Sequence, residues 1–389
     1  MRRNDVRVLY LNPFSQEVSG PDESLRTLLR ALVPLGVEPH VVLPAAGPQI
    51  PRYEAVGATV HVLPLAKLRR DLSPAEAVAY PVQLSRSVLG VRALARRVGA
   101  ALIHTNMEVL LDGGLAARSL GLPHVLHYRG NTLDSPKLVF DGLTAIWTAL
   151  SDHVYCISRA TAGVFERRGR GRKVEALYNP VDVAAFAGAP RSDEIRAQLG
   201  AGPSHRLVGT VGRVHLRKDV ETFARAAALV AAQVPEARFV VVGVAEVPAE
   251  HDYQQRVAAL VAELGIADRF VFAGARRDVP AVMKALDVFT LTSRHEGFGR
   301  VVAEAMAAGR PSVVTREGAL PELVEEDQYG LTAAPTNARE FADRILALLN
   351  DPARAEAMGA RAAAHAAIFD ANSVAARVFE RYERLIARR

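Results

Sequence analysis

The chain has 389 residues, 50% hydrophobic and 23% charged, with 48 Lys and Arg against 42 Asp and Glu and a net charge of +6. Such a length exceeds what one core organises and predicts two domains of somewhat under ~200 residues each, while the composition is that of an ordinary soluble globular protein. The single cysteine, Cys156, excludes an internal disulfide, and no apolar run reaches the length of a spanning helix.

The N-terminus, Met-Arg-Arg followed by Asp5, Arg7 and the short apolar run VLYL, does not make a signal sequence, so a cytoplasmic location is expected. VRVLYLNPF (6–14) reads as a parallel-type strand, and Leu25, Leu28, Leu29 and Leu32 mark one face of a helix that closes at Gly36. Further strands are expected at 39–44, 59–65, 101–106, 123–130, 153–158 and 174–179, with helices between most of them. Strand after helix after strand, with nearly continuous apolar strands, predicts a parallel sheet covered on both faces.

Two loops at strand ends stand out in this half. SQEVSGPDES (15–24) places Ser19 and Gly20 where doubly wound folds bind ligands. HYRGN (127–131) puts His127, Arg129 and Asn131 at the end of another strand, His127 as a candidate at the reaction centre and the other two on the acceptor side. The basic run RRGRGRK (167–173) reads as a solvated helix end, or as a contact for anionic lipid or acceptor at the inner face of a membrane. The basic residues are not interleaved with aromatics, which sets nucleic acid aside as a partner.

Residues 187–205, rich in Gly, Ala, Pro and Ser around one short helix, read as the linker. The alternation restarts at 206–214, with strands at 238–243, 269–274, 288–293 and 311–315. Past the first of these, GRVHLRKD (212–219) offers Gly212 with Arg213 and Lys218, two cations at a helix entrance that suit a diphosphate. Gly318 and Ala319 form one more loop of this domain's ligand side, and helices fill 336–349, 351–367 and 373–389.

The most informative stretch is SRHEGFGRVVAEAMAAGRPSVVT (293–315). An apolar strand leads into a loop holding Glu296, Gly297, Phe298 and Gly299, and a helix beginning near Gly299 or Arg300 aims its unpaired N–H groups back at that loop. Glu304, eight residues beyond Glu296, falls about one helical turn inside. Two carboxylates flanking a helix N-terminus make a receptor for a ligand that carries many hydroxyls and a negative charge.

This stretch resembles the E-x7-E signature of the retaining, metal-independent glycosyltransferases of the GT-B fold, family 4, and the likeness runs through the whole chain. It implies two doubly wound, Rossmann-like α/β domains facing across a cleft: 1–186 on the acceptor side, the 187–205 linker, 206–371 for the nucleotide sugar, and a helix at 372–389 crossing back. It implies that Glu296 touches the transferred sugar, Glu304 the ribose, and that Arg213 and Lys218, matching a G-R-x4-K element, stabilise the departing diphosphate. His127, in a P-x-V-x-H pattern begun by Pro123 and Val125, would be the active-site histidine. Ser19, Gly20, Gly212, Arg276 and Gly297 to Gly299 would line the donor. Departures are Ser19 where a first Gly is frequent, Gly130 where an acid is common, Pro180 for Gly, and Asp219 where Gly is usual. No Asp-x-Asp occurs, so no metal and no cofactor beyond the nucleotide sugar is expected. The expected reaction moves a hexose to a hydroxyl of a glycan, lipid-linked or small-molecule acceptor. A nucleotide-sugar epimerase or hydrolase, or a non-catalytic nucleotide-sugar-binding protein, are the alternatives.

Overall fold

A computed structural model of the protein describes residues 6–16, 19–69, 72–130 and 137–389. The chain forms two units, Met1–Pro180 with Ala371–Arg389, and Val181–Asp370. Among the described residues no helix is long and apolar enough to cross a membrane.

The first unit carries a seven-stranded parallel sheet of β1 (Val6–Leu11), β2 (Val37–Leu43), β3 (Thr59–Val62), β4 (Leu102–Thr105), β5 (His124–Tyr128), β6 (His153–Cys156) and β7 (Val174–Ala176), in the order β3-β2-β1-β4-β5-β6-β7. Val8 to Leu11 are wholly buried because both faces are covered. Val8 and Tyr10 pack with Leu25, Leu28 and Leu29 of the helix Gly20–Leu32, while Leu9 and Leu11 pack with Val91 and Leu94 of the helix Pro74–Val98. Ser19 caps the first of these helices, Pro21 fits its first turn, and Gly36, at φ 94°, takes the left-handed conformation that ends the following 3-10 turn.

The second unit repeats the design with β8 (Arg206–Val211), β9 (Ala237–Val242), β10 (Phe270–Gly274), β11 (Val288–Leu291), β12 (Ser312–Thr315) and β13 (Gly330–Ala333), all parallel, in the order β10-β9-β8-β11-β12-β13. Its bounds differ from those expected. Residues 181–186 and the whole of 187–205 belong to it. The reason is a buried arginine: Arg196, on the short helix Asp193–Gln198, is 2% exposed and donates to Ala285 O (2.6 Å), His205 O (2.6 Å) and Asp287 Oδ2 (3.2 Å). A guanidinium so enclosed must keep its partners, which fixes the supposed linker to the unit.

The helix Ala371–Ile386 belongs to the first unit. Val374, Val378, Tyr382 and Leu385 follow a helical stripe into the core. Tyr382 joins its hydroxyl to His104 Nδ1 (2.5 Å) and Tyr10 (3.2 Å). The chain passes between units twice, and the two passages are tied where Val181 N donates to Phe369 O at 2.8 Å.

Five histidines are buried in the first unit, His40, His104, His124, His127 and His153. His104 and His127 stack 5.7 Å apart at 22°. Burial first, then the Arg129 charge, holds both well below the usual imidazole value of 6.5. Burial lowers His124 to about 4. A depressed folded value means stability that is complete above 6.5 and is lost as pH falls, at about 1.4 kcal/mol per pH unit for each histidine. Carboxylates such as Glu175, held at about 2, lose their contribution only below about 4.5. Trp147, the sole tryptophan, is buried in this unit and reports on it alone. Urea unfolding followed by its fluorescence should show a midpoint that drops between pH 6.5 and 4.5, with a shallower slope in His127→Phe; an equal slope would refute the assignment.

Candidate active site

In the second sheet β8 and β11 are neighbours, yet the chain leaves them toward opposite sides, which makes their carboxyl ends the switch point where such sheets bind ligands. The loops after them, 212–219 and 292–299, are bound to each other. Arg294 N donates to Arg217 O (2.9 Å), and Thr292 Oγ1 to Asp219 O (2.9 Å). On this frame Lys218 Nζ meets Glu296 Oε1 at 2.6 Å, and Ser293 Oγ donates to the same oxygen at 2.8 Å. Burial raises the Glu296 carboxyl, but Lys218, Ser293 and the Arg217 charge outweigh it and hold the group below its ordinary range. Glu296 is therefore ionised at neutral pH, an acceptor of hydrogen bonds.

The backbone around Glu296 is packed to the limit. Gly318 has φ 62°, and a Cβ there would lie 2.2 Å from Glu296 O, which also accepts from Ala319 N at 3.0 Å. Gly299, at φ 86°, starts the helix Arg300–Ala307, and a Cβ on it would strike Leu320 at 2.4 Å. Gly297 lies half-buried between. Gly212 stands beside Lys218, whose Cε would be 3.7 Å from an added Cβ. Glu304 sits on the helix with its carboxylate accepting from Arg300 Nε at 2.8 Å. Asp219 has φ 48°, which explains why glycine is usual there; its carboxylate accepts from Thr222 Oγ1 at 2.9 Å.

Four expected donor or reaction residues have the following surroundings in the protein. Arg213 turns to Glu246 (3.1 Å) and Glu250 (3.2 Å), next to the helix Pro248–Glu263, and not to Lys218. Arg276 forms a two-pronged pair with Asp278 (2.8 and 2.6 Å) and reaches Gln198 (2.8 Å). Phe298 is 3% exposed and sets its ring edge-on against Phe369, so only its backbone belongs to the loop surface. His127 lies inside β5, because the strand continues to Tyr128 and alternation sends Val125 and His127 to the same core face. Its ring is 1% exposed and neither nitrogen has a hydrogen-bond partner among the described residues.

In the first unit Ser19 closes a capping box with Asp22, Ser19 N donating at 3.0 Å, while a Cβ on Gly20 would meet nothing within 4 Å. Arg129, expected to serve the acceptor, is buried and gives Nε to Asn106 O (3.2 Å), Nη2 to Asn106 Oδ1 (2.6 Å) and Nη1 to Asn179 Oδ1 (2.5 Å). Asn106 donates in turn to Asn12 (3.0 Å), which donates to Asp22 (2.7 Å). Asn131 lies outside the described residues. Sequence reading missed this network, as it missed Ser293 and Arg217. One signal was present: the two strands flanking the crevice of the first sheet, β1 and β4, are each followed directly by asparagine, Asn12 and Asn106.

Residues 18–185 match the family model Glycosyltransferase Family 4, and 191–365 match Glycosyl transferases group 1. The 2-deoxystreptamine glucosyltransferase of Streptomyces kanamyceticus is 30% identical, over 83% of this chain and 88% of that protein. The D-inositol 3-phosphate glycosyltransferase of Segniliparus rotundus is 27% identical, over 95% and 86%. The crystal structure of Anabaena HepE in complex with UDP and glucose superposes with a TM-score of 0.80 at 25% identity, over 97% of this chain and 99% of that one. The chain belongs to the family 4, group 1 glycosyltransferases and has their two-domain GT-B fold.

Proposed function

We propose that the enzyme moves a hexose from a nucleoside diphosphate sugar to an acceptor hydroxyl, with retention at the anomeric carbon and without a metal ion. The observation that carries this reading is the Lys218–Ser293–Glu296 cluster at the carboxyl ends of β8 and β11. As the bond between sugar and phosphate breaks, negative charge gathers on the diphosphate, and Lys218 with the N–H groups opening the helix Arg300–Ala307 stabilises it. Glu296, kept ionised, accepts hydrogen bonds from the sugar hydroxyls once phosphate takes its place on Lys218. Glu304, one turn inside the helix, accepts from the ribose. Arg213 serves the diphosphate by leaving Glu246 and Glu250. The protein's own cations thereby do the work of a divalent ion.

Retention follows from attack on the face the phosphate is leaving. The acceptor oxygen bonds to the anomeric carbon, the bond from that carbon to the phosphate oxygen breaks, and the acceptor proton passes to the departing phosphate. Supporting a uridine nucleotide is the UDP and glucose held by HepE. Supporting a ring rich in hydroxyls as acceptor are the two relatives named for 2-deoxystreptamine and D-inositol 3-phosphate.

Calorimetry with UDP, GDP, ADP and TDP should find one preferred nucleotide. Lys218→Ala and Glu304→Gln should each weaken it roughly tenfold, the loss of one hydrogen bond to a charged group; full affinity in both would contradict the donor site. With an active acceptor, proton NMR should show the donor's anomeric configuration in the product, and EDTA should leave the rate unchanged. Capture of a sugar covalently bound to a side chain would overturn the one-step route.

Gly318→Ala tests the frame. Its Cβ would push on Glu296 O, so transfer should fall at least ~10-fold, the cost of about 1–3 kcal/mol of backbone strain. The Trp147 unfolding transition, which belongs to the first unit, should stay in place. An unaltered rate would mean that the Glu296 loop does not need its position.

A further inference from the structure

The first unit has a second feature, at the amino ends of its strands rather than their carboxyl ends. Beside the starts of β6 and β7 a groove of about 470 Å³ is lined by Arg172, Lys173, Arg381, Arg388 and Arg389 against one carboxylate, Asp152. A neighbouring cavity of about 360 Å³ shares Asp152, Lys173 and Arg389 and adds Arg118. The basic run 167–173 divides here. Arg168 turns back to Asp141 (2.5 Å) and lies over the Phe140 ring, while the 3-10 turn Gly171–Lys173 presents Arg172 and Lys173. Arg381 and Arg388 come from the C-terminal segment, spaced to share one side with Leu385.

Internal partners do not balance this charge. Asp152 takes Arg389 (3.2 Å), and Glu175 takes both Arg381 (2.9 Å) and Arg377 (2.7 Å). Among the described residues Lys173 has only carbonyls, Ser151 O at 2.8 Å and Thr148 O at 3.2 Å. Arg172 and Arg388 are exposed and make no hydrogen bond or ion pair among the described residues. Cations gathered in a concavity repel one another and raise the local concentration of anions. Arginine forks fit phosphate oxygens in pairs. The only aromatic ring in the lining is His153, buried against Tyr155 at 4.6 Å, so nothing offers a stacking face for a nucleic-acid base.

We propose that this groove is a binding site for a compact phosphate-bearing group, a phosphate monoester or diphosphate, separate from the donor site in the other unit. The group is either free in solution or the headgroup of an anionic lipid, and the test has an arm for each. Titration calorimetry with inorganic pyrophosphate at low salt should count two sites on the wild type, one on Lys218→Ala and one on Arg172→Glu/Arg388→Glu. Sedimentation with phosphatidylcholine vesicles, with and without phosphatidic acid, reads the lipid source. Loss of pyrophosphate binding in Arg172→Glu/Arg388→Glu assigns a soluble ligand, and loss of retention on phosphatidic acid vesicles assigns a headgroup; either should be at least tenfold. The Trp147 unfolding transition verifies that the variant folds, and Arg172→Gln/Arg388→Gln should reproduce the loss without added acid. If the Glu variant matches the wild type in both arms, the groove is not a site. If it loses a site while Lys218→Ala loses none, the groove stands and the donor assignment falls.

Discussion

Lys218 and Glu296 are 78 residues apart in the chain and 2.6 Å apart in space. They meet because β8 and β11 are adjacent in a sheet whose connections diverge at that point, so the loops leaving both strands lie against each other. Neither charge is fully exposed, with side-chain exposures of 28% and 17%, and removing one would leave the other partly dried and uncompensated. The surrounding frame exists to hold the pair: Thr292 and Arg294 lock loop to loop, and Gly318 lets a third strand's loop clamp the Glu296 carbonyl. A ligand with a phosphate for the lysine and hydroxyls for the glutamate can replace the contact while leaving both groups satisfied. A ligand offering only one of these leaves a charge without a partner.

The two sheets share one topology but treat their crevices differently. In the first, the residues after β1, β4 and β5 spend their polar groups on one another, Asn12 on Asp22, Asn106 on Asn12, and Arg129 on Asn106 and Asn179. In the second, glycines stand where side chains would fill the space, and the cluster keeps a lysine and a carboxylate within reach of solvent. A network closed on itself gives rigidity, whereas an ion pair with exposed flanks is a place for exchange.

That contrast explains what the sequence disclosed. All strands but β13, whose four residues GLTA make too short an apolar run, were legible because a parallel sheet covered on both faces demands continuous apolar runs, and the helix opening at Arg300 was legible from its glycines and apolar stripe. Lys218 and Glu296 each stand in a loop that leaves the end of an apolar strand, a position a motif can mark, but their contact with each other comes from the order of the strands in the sheet. The ion pairs of Arg213 were not legible, because its partners, Glu246 and Glu250, come from a segment 33 and 37 residues away, and a cation's choice among acids is settled only in three dimensions. Arg276 pairs with Asp278 two residues on and reaches Gln198 from far back in the chain, and Phe298 meets the distant Phe369. His127 falls within the strand expected at 123–130, and its burial was decided by which face it shares: alternation puts the imidazole on the core side with Val125.

The position of the division between units has the same origin. Composition marks 187–205 as a linker because Gly, Ala, Pro and Ser ordinarily carry few contacts, and composition has no means of weighting one residue. Arg196 alone reverses the reading, since a guanidinium 2% exposed must be hydrogen-bonded on nearly every edge, and Ala285, Asp287 and His205 supply those edges. Asp287, the residue before β11, also accepts from Leu207 N at the start of β8. The segment that looked most dispensable is thus fastened to the amino ends of the same two strands whose carboxyl ends carry Lys218 and Glu296, and a change at Arg196 would act on the site through the sheet itself.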